Sequence, residues 1–256
     1  MDQRLLEHKN IVVTGTASGM GKSMLELFSS MGASVFAHAR AETQEHLAMC
    51  EKLSKDHNAE IMPIYFDLTD GNAMKEAVKY IRSTKKKIDG LVNNAGVIHN
   101  SLVQMTRMDD VRRMMEINFI APYLLTQYIS KMMVKSGGGS IVNIASAAAL
   151  DGNAGKSAYG SSKAALITFT KCLAEELGNS GIRVNAICPG LTDTKMISDM
   201  YDYIYEIEVK AASLRKTAKP EDIANVASWL LSDKSSYITG QVIRVDGGIT
   251  TRTKGV

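Results

Sequence analysis

A chain of 256 residues with 45% hydrophobic and 22% charged side chains has the balance of a soluble globular protein with a substantial core. Its formal charge of +3 is spread along the chain, which argues against a basic nucleic-acid arm; the run Lys85–Lys87 reads as the solvated end of a helix. Three cysteines, at 50, 172 and 188, are too few and too scattered for a disulfide framework or a metal knuckle, so no metal site is expected.

In chain order, the opening MDQRLLEHKN lacks the apolar core of a signal peptide, and no apolar run approaches membrane-spanning length. A cytoplasmic protein without membrane or nucleic-acid partners is the expectation. Seven short apolar runs read as strands: 10–14, 33–38, 60–66, 89–93, 140–145, 182–187 and 241–245. Helix-length segments alternate with them at 20–31, 42–57, 71–84, 109–135, 157–178 and 221–232. Pro220, Glu221 and Asp222 mark the start of the last one, with proline at the first helical position and acids near the positive dipole end. Strands rich in Val and Ile without polar alternation are those of a parallel sheet covered by helices on both faces. With four prolines and nothing resembling a linker, residues 1–256 are expected to form a single α/β domain. Its architecture would be a doubly wound Rossmann fold around a seven-stranded, mainly parallel sheet.

The first strand runs into TGTASGMG, residues 14–21, and straight on into a helix. Glycines at 15, 19 and 21 permit a sharp turn whose backbone N–H groups approach a pyrophosphate, with the positive helix end behind them. The Gly-x-x-x-Gly-x-Gly spacing differs from the common Gly-x-Gly-x-x-Gly. At the end of the second strand, FAHAR, Ala39 stands where an NAD-binding fold carries its ribose-binding acid, and Arg40 follows. A guanidinium there can pair with a 2′-phosphate through forked, charge-assisted hydrogen bonds, which favours NADP over NAD. The alternative is an Arg40 that merely faces solvent.

Further along, SAYGSSKAALITF (157–169) places Tyr159 one helical turn before Lys163 on a common face, inside an apolar stretch. Together with TGTASGMG, Asp67, NNAG (93–96), Asn118 in INF, Ser146 in NIAS, PGLTDT (189–194) and ITGQVIRVDGG (238–248), this pattern resembles the short-chain dehydrogenase/reductase family. The likeness covers almost the whole chain. NNAGVIHNSLVQM and YITGQVIRVDGG are most similar to 3-oxoacyl-[acyl-carrier-protein] reductases. Where those enzymes carry basic residues thought to receive the acidic carrier protein, this chain has Ser136-Gly137 and Ser180.

The resemblance implies a catalytic set of Asn118, Ser146, Tyr159 and Lys163. Tyr159 would be general acid in ketone reduction and general base in alcohol oxidation. Lys163 would depress its pKa and hold the nicotinamide ribose. Ser146 would hydrogen-bond the substrate oxygen, and Asn118 would anchor a water passing protons between Lys163 and solvent. For the cofactor, Gly15, Thr16, Ser18, Gly19, Met20 and Gly21 would cradle the pyrophosphate and Arg40 the 2′-phosphate. Asp67 and Leu68 would meet the adenine, and Asn94, Ala95 and Gly96 the adenosine ribose. Pro189, Gly190, Thr192 and Thr194 would embrace the carboxamide and phosphate. His99 reads as polar lining. Tyr201, Tyr203 and Tyr205, in a substrate loop or lid at about 192–216, either cover the substrate or bury a short helix. The implied activity is NADPH-dependent reduction of a 3-oxoacyl thioester or similar ketone. The alternatives are NAD(P)-dependent oxidation of a secondary alcohol such as a sugar, polyol or sterol, or a non-catalytic nucleotide sensor. Self-association to a dimer or tetramer through the helices at 109–135 and 157–178 is expected as well.

Overall fold

The computed structural model describes residues 4–194 and 209–249. The three tyrosines of the substrate loop, and most of that loop, lie outside the described residues. A seven-stranded sheet is formed by β1 (Asn10–Thr14), β2 (Ser34–Ala39), β3 (Ile61–Tyr65), β4 (Gly90–Asn93), β5 (Gly139–Ile144), β6 (Ile182–Pro189) and β7 (Val242–Val245). All neighbours pair in parallel, in the order β3-β2-β1-β4-β5-β6-β7. All seven expected strands are present, with ends shifted by at most two residues.

Consecutive side chains of a strand face opposite sides, and both sides are dry here. Ile11 and Val13 of β1 join the core under α1 (Gly19–Ser30) and α8 (Pro220–Leu231), against Met24, Leu25, Phe28, Ile223 and Leu230. Val12, between them, joins the opposite core, against Phe36, Leu91, Leu125 and Phe169. That second core is roofed by α3 (Gly71–Ser83), α5 (Ala121–Lys135) and α7 (Ser157–Gly178). A side chain the size of Phe28 or Phe36, both fully buried, stabilises such a core by about 2–3 kcal/mol. Between β2 and β3, α2 (Gln44–His57) is N-capped by Thr43, whose hydroxyl accepts the His46 N–H at 3.2 Å. The start of α8 is as the sequence indicated: Pro220 opens it, and the Asp222 carboxylate accepts the Lys219 N–H at 2.8 Å.

The expected helix at 109–135 is interrupted. α4 (Met108–Met115) and α5 are joined by a π-helical turn over Glu116–Ile120, closed by an Ala121 N–H bond to the Glu116 carbonyl. The cause is legible in the residues: Pro122 has no N–H to return to the Asn118 carbonyl four residues back. A short helix not anticipated from the sequence, α6 (Ala148–Asp151), follows β5. Among the described residues, no helix is long and apolar enough to cross a membrane.

The chain lays down β1 mid-sheet, builds outward to β3, then crosses back so that β4 lies beside β1. At such a switch point the loops after the two strands diverge and leave a crevice at their carboxyl ends.

Candidate active site

The crevice is pinned at its floor by Thr14. Its hydroxyl accepts the N–H groups of Asn94 at 2.9 Å and Ala95 at 3.0 Å, and the Asn94 side chain donates to the Thr14 carbonyl at 2.8 Å. Asn94 thus holds the ends of β1 and β4 together, while its Oδ1 is buried without a partner among the described residues. Gly15 has φ +74, and a Cβ on Gly21 would sit 2.0 Å from the Gly15 carbonyl oxygen, so the turn closes on itself too tightly for any side chain. The exposed Ser18 is the N-cap of α1 and makes no side-chain cap, and the first turn carries no acid. The helix therefore presents uncapped N–H groups and its positive end to the crevice. Thr194 hangs over the same loop, its methyl 3.3 Å from where a Gly19 Cβ would be. Partly buried Met20 packs on the first core.

The loop, the uncapped helix and the unpartnered Asn94 oxygen together fit the diphosphate and ribose of a dinucleotide. Arg40 is exposed directly after β2, and its charge, behind two Thr69 hydrogen bonds, helps hold the Asp67 carboxyl below its usual range. Partly buried Leu68 lies beside Asp67. Gly190 must be small, because a Cβ there would meet Asp246 at 2.7 Å; Thr192 donates back to the Gly190 carbonyl at 3.2 Å. Thr16 is different. Its hydroxyl is wholly buried, 3.1 Å from the His38 carbonyl and 2.9 Å from His46 Nε2, so its side chain turns into the fold rather than toward a ligand.

At the other end of the crevice, Ser146 stands two residues beyond β5, and Tyr159 sits in the first turn of α7. Their side chains hydrogen-bond each other. One turn on, Lys163 is 4% exposed and donates to the Ile144 carbonyl at 2.8 Å. Asn118, wholly buried in the π turn, uses both ends of its amide. Oδ1 accepts the Val97 N–H at 2.8 Å, and Nδ2 donates to the Val97 carbonyl at 2.9 Å and to Ser162 Oγ at 3.0 Å. A Cβ on Gly96 would fall 3.0 Å from Asn118 Oδ1 and 3.2 Å from Lys163 Nζ, so glycine brings the backbone of the β4 loop against the lysine. The four expected catalytic residues converge.

Two features of this set bear on its chemistry. First, the Tyr159 phenol is raised on balance in the free protein, not lowered. Burial raises the phenol, the Ser146 hydrogen bond only partly offsets it, and the Lys163 ammonium is turned to the Ile144 carbonyl. Lys163 itself is pushed down to about 8 by desolvation. Second, the Asn118 side chain is spent on Val97 and Ser162. A proton relay at this residue would have to use its main chain, where Pro122 withholds the usual helical partner of the carbonyl. Cys188, buried behind Ser146, has its thiol pushed up to about 11 by burial and is no nucleophile. His99 is half exposed at the rim, 3.8 Å from an Asp110 oxygen.

Sequence reasoning missed two buried networks. Asn93 donates to Asn143 Oδ1 at 2.8 Å, and Asn143 to Thr170 Oγ1 at 2.8 Å, a ladder that ties β4 and β5 to α7. The other joins His38, His46, Thr16 and Tyr65 beneath the phosphate loop. Its one sequence signal was a histidine inside the apolar strand SVFAHA.

Residues 15–250 match the model of a family described as enoyl-(acyl carrier protein) reductase. The chain is 36% identical over 244 residues to the 3-oxoacyl-[acyl-carrier-protein] reductase of Thermotoga maritima, covering 95% of this chain and 98% of that one. It is 32% identical to a 3alpha-hydroxysteroid dehydrogenase of Mediterraneibacter gnavus, over 95% of this chain and 97% of the relative. Among solved structures, a candidate NAD(P)-dependent gluconate 5-dehydrogenase from Beutenbergia cavernae, with NADP at low occupancy, superimposes with a TM-score of 0.90. It is 30% identical, with 96% of this chain and 98% of that one covered.

Proposed function

The chain belongs to the short-chain dehydrogenase/reductase family, and we propose that within it the protein is an NADPH-dependent carbonyl reductase acting on a 3-oxoacyl thioester or similar small ketone. The observation that carries this reading is the junction of Tyr159, Ser146 and Lys163 at the reactive end of the crevice. The dinucleotide, when bound, supplies the hydride.

In that reaction Tyr159 gives its phenolic proton to the oxygen of the carbonyl as the alcohol forms, and Ser146 donates a hydrogen bond to the same oxygen. A phenol whose pKa is raised by burial keeps its proton at neutral pH and is ready as an acid. Lys163, with a pKa of about 8, is still charged at pH 7 and stabilises the phenolate left behind. Asn118 holds the loop after β4, at Val97, and α7 at a fixed spacing, so that the three groups stay aligned. Arg40 is assigned to the 2′-phosphate, which selects NADP over NAD.

Residues 1–256 form one domain in this reading, and self-association runs through α4, α5 and α7, where Tyr123 is 43% exposed and stacks on Phe169 at 4.7 Å. A monomer in sedimentation at micromolar concentration would remove that part. The Thermotoga maritima relative supports the thioester. The steroid dehydrogenase relative supports the second reading, oxidation of a secondary alcohol by the same residues working in reverse.

The test is NADPH consumption with a short 3-oxoacyl thioester, beside the Tyr159→Phe variant. Turnover that drops by about 100-fold or more in the variant, with NADPH binding kept, supports the reading. Unchanged turnover in Tyr159→Phe would remove the proton donor. No turnover with tight NADPH binding would move the substrate to another ketone or to an alcohol.

A further inference from the structure

Beneath the phosphate loop the proton positions are set by elimination. The Gly15 N–H donates to His38 Nδ1 at 3.2 Å, so Nδ1 carries no proton, and Nε2–H is left to donate to the Phe66 carbonyl at 2.9 Å. The Thr16 N–H and hydroxyl both reach the His38 carbonyl, at 2.8 and 3.1 Å, where only the carbonyl can accept. Thr16 Oγ1 must therefore accept from His46 Nε2–H at 2.9 Å. His46 Nδ1 is then free to accept the Tyr65 hydroxyl at 3.1 Å. Two neutral histidines on β2 and α2, each in one tautomer, hold the two residues at which β1 turns into the loop. Both residues are 2% exposed.

We propose that His38 and His46 are positioning residues for the dinucleotide: with Thr16 and Tyr65 they fix the Gly15–Thr16 turn from below and so aim the rest of the phosphate loop. The proposal rests on the reading that residues 14–21 bind a dinucleotide. A ligand cradled by backbone N–H groups gains from them only if the turn is already in place when it arrives, since ordering it on binding would cost affinity. The pair also limits the pH range over which the turn is held. A proton on His38 Nδ1 would face the Gly15 N–H, donor against donor. Around His38 the titratable groups are His46 and Asp67; around His46 they are Tyr65 and Cys50, with Glu42 acting on Tyr65. Desolvation holds His38 down to about 4, so that ring stays neutral above about pH 5, and desolvation lowers His46 in the same sense.

The experiment is fluorescence titration of the full chain with NADP+ at pH 7.5, with thermal unfolding of each variant alongside. His38→Leu removes both hydrogen bonds of the ring. His38→Asn keeps an acceptor for the Gly15 N–H but gives up the Phe66 bond. Thr16→Val is isosteric and disconnects His46 from the turn. The dissociation constant is expected to rise about tenfold in His38→Leu and Thr16→Val and to stay within about threefold in His38→Asn. His38→Asn and His38→Leu should nevertheless lose similar thermal stability. A role in stability alone would make affinity follow melting temperature, so an Asn variant as weak as the Leu variant overturns the proposal. So does a folded Thr16→Val with wild-type affinity, which serves if His38→Leu does not fold. If the wild-type protein binds neither NADP+ nor NAD+, the dinucleotide reading falls and the proposal with it. Binding by the wild type with unaffected variants removes the proposal alone.

Discussion

Under the reactive end of the crevice, Lys163 keeps an ammonium with three N–H bonds almost out of water, against the Ile144 carbonyl as its partner among the described residues. Under the phosphate end, His38 and His46 are buried as deeply, but neutral, with every ring nitrogen matched. The two clusters lie under one crevice and divide its tasks. The first holds a charge where burial disfavours it, which is tolerable only where that charge is used. The second holds shape, and shape is held most cheaply without charge. The contrast sorts function from scaffold at each end, and it can be broken at each end separately.

The largest effect belongs to the charged cluster. Lys163→Met should cut turnover about 100-fold or more, yet leave the free protein at least as stable as wild type. Lowering a lysine from its ordinary value of 10.5 to about 8 costs the folded state about 3 kcal/mol at neutral pH. The cost is relieved only as pH rises from about 8 toward 10.5, where the unfolded chain still holds the proton and the folded one does not. Methionine removes that penalty and leaves the Ile144 carbonyl without its donor, at about 1–3 kcal/mol. The balance is a gain of about 1 kcal/mol, read by denaturant unfolding without nucleotide. A loss of several kcal/mol would mean that the lysine is there to hold the fold.

The neutral cluster should respond to acid. His38 has a folded pKa of about 4 against an ordinary 6.5, so between these values the unfolded chain takes up a proton that the folded protein refuses. Stability contributed by this site is whole above about pH 6.5 and falls by about 3 kcal/mol as pH drops to about 4. Desolvation lowers His46 too, which adds in the same sense. Unfolding of wild type and His38→Asn should be compared at each pH, because the carboxylates titrating in the same range cancel in the difference. Parallel curves would mean that His38 is not held neutral.

What the sequence made legible follows the same division. Val12, Val92 and Val142 sit in strands buried on both faces, so the strands read directly as apolar runs. Ser146, Tyr159 and Lys163 are legible through the family resemblance, since the one-turn spacing of Tyr159 and Lys163 settles little by itself. The protonation of Tyr159 and Lys163 was not legible, since it depends on how much water the packed neighbours exclude and on which carbonyl the ammonium meets. Nor was the link between His38 and His46, which exists only because β2 and α2 bring residues eight apart against the Thr16 hydroxyl. The π turn was within reach of the sequence: a proline four residues after Asn118 forbids the α-helical bond at that carbonyl.

The smallest expected effect tests the outer edge of the phosphate end, where Arg40 is exposed and the neutral cluster gives way to open charge. Arg40→Asp should weaken NADPH binding about tenfold relative to NADH, by losing a forked pair with the 2′-phosphate and setting a carboxylate against it. Because the guanidinium stands in solvent, the gap should narrow as salt is raised toward 1 M, where the screening length falls to about 3 Å. The affinity set by His38 and Thr16 should not narrow in the same way, since buried neutral hydrogen bonds are not screened. Equal weakening of NADPH and NADH by Arg40→Asp would return Arg40 to a side chain that merely faces solvent. Loss of the His38→Leu effect at high salt would show that the two regions are not separate.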